Sequence, residues 1–356
     1  MGETEKRELL TISPEWSIPQ LQEKIADAIT GDGPALATTQ SQFNFVEPEI
    51  SLVVETSGST GEPKLVAIST AALIASTNAA HKYLGAIPGD SWSLLLPTTH
   101  IAGLNVLARA TALGSKVIDN RNVSNYVDAD FISIVPTQLH RAVTSDTKLL
   151  EHLTAAESVL VGGGGISDAL RKAAADKDVK VVTTYGMTEM CGGCVYNQKP
   201  LDGVEVKLNS EGLVQLRGPM MARTYLNDSA SWNSLTTDGW FQTSDLGELV
   251  DGKLRILGRA DDVIKSGGEK ISLVDIEDRF QKHFPGTEVI AFGMADAEWG
   301  EKLCLGITSN ISLSDVQGKL TGIYSPKEIF IFKQIPRTTL GKVDRRAAVK
   351  MAIGNQ

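Results

Sequence analysis

The sequence predicts an α/β protein. It has a large N-terminal domain of helix-covered, largely parallel strands, a β-rich subdomain, and a small α+β C-terminal domain. Three observations carry this prediction. Between Ile50 and Tyr185 short apolar runs alternate with longer helical patterns, and such alternation implies crossover connections between parallel strands. From about Leu201 to Arg259 the strands become shorter and are separated by turn residues. Beyond "GRADD" the texture changes again, to one amphipathic helix mixed with further strands.

Each element has its own justification. The strand runs are "ISLVVE", "SWSLLLP", "SKVID", "FISIVP", "ESVLVG" and "VKVVTTYG". Between them lie the helical patterns "STAALIASTNAAHKYLG", "IAGLNVLARATAL", "TQLHRAVT" and "ISDALRKAAADKD". Glycine clusters and polar turns follow the strand runs, where open α/β sheets bind ligands. In the β-rich subdomain, residues 201–258, "GELV" and "KLRILGR" flank Asp251-Gly252, a favoured hairpin turn. Leu273, Ile276, Phe280 and Phe284 then share one face of a helix in "SLVDIEDRFQKHF". The strands "TEVIAFGM" and "KLCLGITS", a short helix, the strand "EIFIFKQI" and a basic tail, "GKVDRRAAVK", complete the chain. The expected division is 1–258, a hinge at 259–262, and 263–356.

The 356 residues are 42% hydrophobic and 22% charged, values of a soluble protein with a sizeable core. A formal charge of -9 with no run of Lys and Arg argues against nucleic acid or an anionic membrane surface as the main partner. The N-terminus "MGETEKRELLTISPEWSIPQ" lacks the apolar core of a signal peptide, and no apolar run is long enough to span a bilayer. A cytoplasmic protein with three reduced thiols is therefore expected. A homodimer is left open, since one sequence does not separate interface from core.

The stretch "TSGSTGEPK", Thr56 to Lys64, suits a loop that wraps a polyphosphate. A Walker loop requires a glycine, four residues, then Gly-Lys and Ser or Thr. Counting from Gly58, Pro63 stands where the second glycine belongs, and Leu65 replaces the hydroxyl. Proline also lacks an N–H donor, so the Walker reading fails. The phosphate logic survives. Gly58 and Gly61 permit inward-facing N–H groups, Thr56, Ser57, Ser59 and Thr60 add hydroxyls, and Lys64 adds a point charge.

Four later motifs complete a pattern: "YGMTE", "GWFQTSDLGEL", "GRADDVIKSGGEKIS" and "PRTTLGKVDRR". With "TSGSTGEPK" they repeat, in order from residue 56 to about 346, the signature of the adenylate-forming acyl-CoA synthetase superfamily, which the chain resembles. The resemblance implies the adenylate-forming enzyme fold, in which a small C-terminal domain moves against a large N-terminal one. One departure is that only 55 residues precede the phosphate loop. Family members usually carry a much longer segment there, so part of that architecture is expected to be missing or reduced. Within the family, "PTTHIAGLNVLARA" and "YGMTEMCGGCVYNQKPLDGVEV" resemble the branch that ligates o-succinylbenzoate in menaquinone synthesis, especially its short actinobacterial form.

The implied chemistry is ATP-dependent adenylation of a small-molecule carboxylate, then transfer to coenzyme A, with Mg²⁺ as cofactor. By the same resemblance Lys342 is the catalytic lysine of adenylation, Glu189 the Mg²⁺ carboxylate and Thr188 an α-phosphate contact. Tyr185, in Tyr185-Gly186, flanks adenine, and Gly163, Gly164 and Gly165 pack on the base. Asp245 holds the ribose diol and Arg259 a ribose or phosphate oxygen. Asp261 matches the hinge, and Gly267 and Gly268 the wall of a pantetheine tunnel. His100 matches a substrate-gating position. A second substrate carboxylate would need His100 or Arg109, the latter being weaker because arginine is usually at the surface. Cys191 and Cys194 form a Cys-x-x-Cys, but a zinc site wants four ligands. With Gly192 and Gly193 between them, a small-residue wall beside the acyl pocket is expected instead. The alternatives are a ligase for another aryl or acyl acid, an enzyme that loads a carrier protein, and a nucleotide-binding protein without catalysis.

Overall fold

The computed structural model describes residues 6–56, 63–337 and 343–354, with residue 261 described by its backbone only. They fall into two compact units. The first comprises Met1–Lys207, Gln215–Gln242 and Leu249–Leu254; the second comprises Leu208–Val214, Thr243–Glu248 and Arg255–Gln356.

The first unit contains two sheets. The larger has seven strands, in the order Lys199–Pro200, Gly192–Tyr196, Val181–Met187, Ser158–Val161, Phe131–Ile134, Trp92–Leu94, Val117–Asp119. The five from Val181–Met187 to Val117–Asp119 are parallel, and the remaining pairings are antiparallel. Trp92, Phe131, Ile132 and Val159 are fully buried, and strands covered on both faces read as unbroken apolar runs. The helices Ile101–Ala112, Pro136–Thr144, Thr147–Ala155 and Asp168–Ala175 make the crossovers. Parallel strands place Leu94, Ile134, Val161 and Met187 at one end of this sheet.

"ISLVVE" belongs to a different sheet and pairs antiparallel with the strand that follows it, a departure from the crossover connection that the alternation implies. Ile50–Thr56 pairs antiparallel with Lys64–Ser69, Val54 opposite Val66. Both lie in a six-stranded sheet ordered Thr224–Tyr225, Lys64–Ser69, Ile50–Thr56, Ala35–Ala37, Arg7–Thr11, Phe45–Val46. Seven residues separate the two strands, enough for a hairpin and too few for a crossover. The helix Ile18–Thr30 begins with a Ser17–Gln20 capping box and ends at Gly31, φ 90°.

The β-rich stretch has the expected turn. Asp251 and Gly252 hold φ of 50° and 71° between the strands Trp240–Val250 and Lys253–Arg259, as a type I′ turn demands. In the second unit, Glu269–Ser272, Val263–Ser266, Gly300–Ile307 and Val289–Asp296 pair antiparallel in that order, and Glu328–Ile331 adds to Gly300–Ile307 in parallel. The helix Leu273–His283 buries Leu273, Ile276 and Phe280, with Phe284 packed on the same cluster. Phe292, Cys304 and Phe332 pack with Ala348 and Ala352 of the helix Arg345–Gly354.

Candidate active site

Four strand ends in the first unit carry most of the expected site residues. After Leu94 the chain leads through His100 into the helix Ile101–Ala112. After Ile134 it turns into Pro136; after Val161 it meets the glycines 162–165; after Met187 it makes the short turn Thr188–Met190. Carboxyl ends of parallel strands are where such sheets bind ligands.

The glycines divide into two groups. A Cβ on Gly186 would lie 1.9 Å from the Gly192 carbonyl oxygen, and one on Gly192 would lie 2.5 Å from Asn105 Nδ2. A Cβ on Gly193 would lie 2.9 Å from the Tyr196 ring. These three permit close packing of the protein on itself. Gly164 and Gly165 are exposed; an added Cβ would meet only Pro136 at Gly164 and nothing within 4 Å at Gly165. Gly163 has φ 77° and is also exposed. Internal packing does not require glycine at 164 or 165, so their bareness is available to a planar ligand.

Glu189 accepts a hydrogen bond at Oε1 from the Tyr225 hydroxyl, 2.7 Å. Burial and the neighbouring carboxylate push the Tyr225 phenol upward in pKa, so it remains a donor. Lys64, at the end of the glycine-rich loop, forms an ion pair with Asp228. Hydrogen bonds from Lys64 and Ser231 hold the Asp228 carboxyl well below the usual range. Tyr225 and Asp228 carried no motif in the sequence. The only trace was polar residues in the "TYLND" stretch just before a helix. Thr188 and Tyr185 are half-buried beside Glu189 in sequence. Ser57, Gly58, Ser59, Thr60, Gly61 and Lys342 lie outside the described residues.

His100 is exposed at the start of its helix and makes no capping bond with its side chain. Arg109 is 4% exposed, contrary to the expectation that arginine lies at the surface. Its Nη2 donates to the Tyr196 hydroxyl, 3.0 Å, its guanidinium lies 5.1 Å from the Trp92 ring centre, and its buried Nε has no partner among the described residues. Nine helix positions separate the two, roughly 13 Å of rise. Cys191 and Cys194 are fully buried free thiols. Burial pushes both upward, Cys194 to about 12, and keeps them protonated. The Cys191 carbonyl accepts from Asn105 Nδ2, 2.7 Å.

In the second unit Asp245 Oδ1 lies 4.0 Å from Arg259 Nη1, the carboxylate 13% exposed. The Asp245 N–H donates to Thr243 Oγ1, 3.0 Å. Asp261 lies in the short turn Ala260–Asp262. Gly267 and Gly268 have φ of 59° and 87° and form the two-residue turn between Ser266 and Glu269. A Cβ on Gly267 would lie 3.0 Å from the Trp299 indole. Arg345 pairs with Asp262 at 2.7 Å, with Glu277, and with the Ala291 carbonyl at 3.0 Å.

Residues 11–226 match the model of the AMP-binding enzyme family. A probable 2-succinylbenzoate–CoA ligase of Mycobacterium tuberculosis is 34% identical over 373 residues, covering 95% of each chain. Among solved structures, wild-type E. coli MenE with a bound m-phenylether-linked analogue of OSB-AMS is 25% identical, with TM-score 0.67, covering 97% of this chain and 82% of that one. O-succinylbenzoate coenzyme A synthetase (MenE) from Bacillus subtilis, in complex with ATP and magnesium ion, is 22% identical with TM-score 0.73, covering 95% and 83%. These likenesses show the adenylate-forming enzyme fold.

Proposed function

From the premise that the chain belongs to the AMP-binding enzyme family, we propose that it is an AMP-forming acid–CoA ligase whose acid is o-succinylbenzoate. The observation that carries this is the 34% identity, over 95% of both chains, to a probable 2-succinylbenzoate–CoA ligase. In the first step a substrate carboxylate oxygen attacks the α-phosphorus of ATP, and the bond to the β-phosphate breaks to release pyrophosphate. In the second, the sulfur of coenzyme A attacks the acyl carbon, AMP leaves, and the thiol proton passes to solvent. No helix among the described residues is long and apolar enough to cross a membrane, and the proposal places the enzyme in the cytoplasm.

Adenylation brings two anions together, so charge neutralisation and positioning dominate it. Lys342 supplies the positive charge at the reacting phosphate. A lysine 4 Å from developing charge contributes about 4 kcal/mol at an effective dielectric near 20, before desolvation. Glu189 suits Mg²⁺, which takes hard oxygen ligands and usually only one or two protein carboxylates. Among the described residues no three His, Cys, Asp or Glu cluster as a metal site. Bound Mg²⁺ would neutralise the phosphate oxygens. Lys64 and the 56–61 loop hold the departing β- and γ-phosphates, Thr188 the α-phosphate, and Tyr185 with Gly163–Gly165 the adenine. Asp245 and Arg259 hold the ribose. His100, Gly192 and Gly193 border the acyl group, and Arg109 supplies a buried cation for its second carboxylate. Rotation at Asp261 exchanges Lys342 for the Gly267–Gly268 loop before thioester formation.

The test is direct. The protein is incubated with ATP, Mg²⁺, coenzyme A and, separately, o-succinylbenzoate, benzoates and short fatty acids, and acyl-CoA is read by mass spectrometry. o-Succinylbenzoyl-CoA, formed with AMP and pyrophosphate, is the expected product. Turnover of another acid with none of o-succinylbenzoate would overturn the substrate assignment.

A further inference from the structure

The stretch Ala222–Ser231 binds both parts of the expected ATP site in the first unit. Its backbone runs antiparallel to Lys64–Ser69, with Thr224 opposite Ala67 and Tyr225 opposite Val66. Leu226 N–H donates to the Leu65 carbonyl, 2.9 Å, and Ala222 N–H donates to the Glu189 carbonyl, 2.8 Å. The side chains continue this pattern. Asn227 Oδ1 accepts from Leu65 N–H, 2.9 Å, while its Nδ2 donates to the Pro63 carbonyl, 2.8 Å, so one amide grips the backbone on both sides of Lys64. Asp228 Oδ2 accepts from the Lys64 ammonium and from Ser231 Oγ, 2.5 Å. Its Oδ1 caps the helix Ser229–Leu235 through Ser231 N–H, 3.0 Å. Tyr225, 4% exposed and edge-on to Trp232 at 5.1 Å, gives its hydroxyl to Glu189.

We propose that Tyr225, Asn227 and Asp228 are positioning residues that hold Glu189 and Lys64 in one frame for the Mg²⁺–triphosphate. The proposal rests on the ligase reading above. Tyr225 takes one carboxylate oxygen of Glu189 and thereby fixes its rotamer, leaving the other for the ion. Among the described residues no other side chain hydrogen-bonds that carboxylate. Asp228 takes one of three ammonium donors of Lys64 and leaves two for phosphate. Groups that orient a metal ligand typically contribute 10- to 100-fold to metal affinity.

Two variants separate these tasks. Tyr225→Phe keeps the ring and its packing but removes the donor. It should raise the Mg²⁺ concentration for half-maximal ATP–pyrophosphate exchange about tenfold, with kcat at saturating Mg²⁺ nearly unchanged. Asp228→Asn keeps the helix cap but removes the charge. It should raise KM for ATP several-fold and leave the Mg²⁺ dependence alone. Combining Tyr225→Phe with Glu189→Gln should shift the Mg²⁺ dependence no further than Glu189→Gln alone. Mg²⁺-dependent ATP binding to the full chain, followed by calorimetry, reads the same shifts without turnover. Wild-type Mg²⁺ and ATP dependence in both single variants, or a lowered Tm with unchanged dependence, overturns the proposal. Absence of exchange in the wild type overturns the ligase reading instead, and calorimetry still decides this one.

Discussion

The strand-end site of the first unit and the hairpin loop of the second are held in place by opposite means. Glu189 and Lys64 sit at a turn and a strand end and hydrogen-bond to Tyr225 and Asp228, remote in sequence; 164 residues separate Lys64 from Asp228. Gly267 and Gly268 sit in a two-residue hairpin turn that the local backbone fixes. Arg345 then ties Asp262 and Glu277 within the same unit. The difference teaches where damage should appear. Substitutions at the strand ends should change ligand handling before stability, whereas those in the second unit's frame should change stability first.

The largest expected effect tests the division of labour. Lys342→Ala should slow adenylation about 10²- to 10³-fold, the usual loss when one charge-stabilising donor is removed. Thiolysis of preformed acyl-adenylate should remain near wild type. Equal loss in both half-reactions, measured separately by rapid quench, would break the claim that Lys342 and the Gly267–Gly268 turn serve different steps.

A second test concerns pH. Burial, and then the Arg109 charge, lower the His81 pKa to about 4, while its unfolded value is near 6.5. The fold therefore favours neutral His81. Its stabilisation is complete above pH 6.5 and is lost as pH falls toward 4, about 3 kcal/mol over that window. His81→Phe should flatten that part of the urea-unfolding profile; an unchanged slope would remove His81 as its source.

Arg345→Met sharpens the comparison from the other side. It leaves Asp262 and Glu277 without their cation, which should cost about 2 kcal/mol given their partial exposure. A lowered Tm is expected, with ATP binding little affected. Smallest is Gly267→Ala, where a side chain at φ 59° costs about 1 kcal/mol and presses on Trp299. Thiolysis should slow while pyrophosphate exchange stays constant, and a slowed exchange would contradict the assignment of this turn to the second half-reaction.

The fold was largely legible because parallel strands buried on both faces announce themselves as apolar runs. The strand Lys64–Ser69 was not, since "KLVAIS" runs without a break into a helical pattern, and with it the antiparallel pairing of "ISLVVE" was lost. The burial of Arg109 was not legible for a related reason. The helix Ile101–Ala112 is buried almost all round, so no polar face marks where an arginine should emerge. Of the site, Glu189, Lys64 and the glycines were readable as motifs. Tyr225, Asn227 and Asp228 were not, because a side-chain contact between distant segments leaves no period in the sequence.

The most direct test of the account is carboxylate-dependent ATP–pyrophosphate exchange by the wild-type protein. Exchange that requires both Mg²⁺ and o-succinylbenzoate is the predicted result. Exchange with other acids but not with o-succinylbenzoate, or none with any acid, would contradict it.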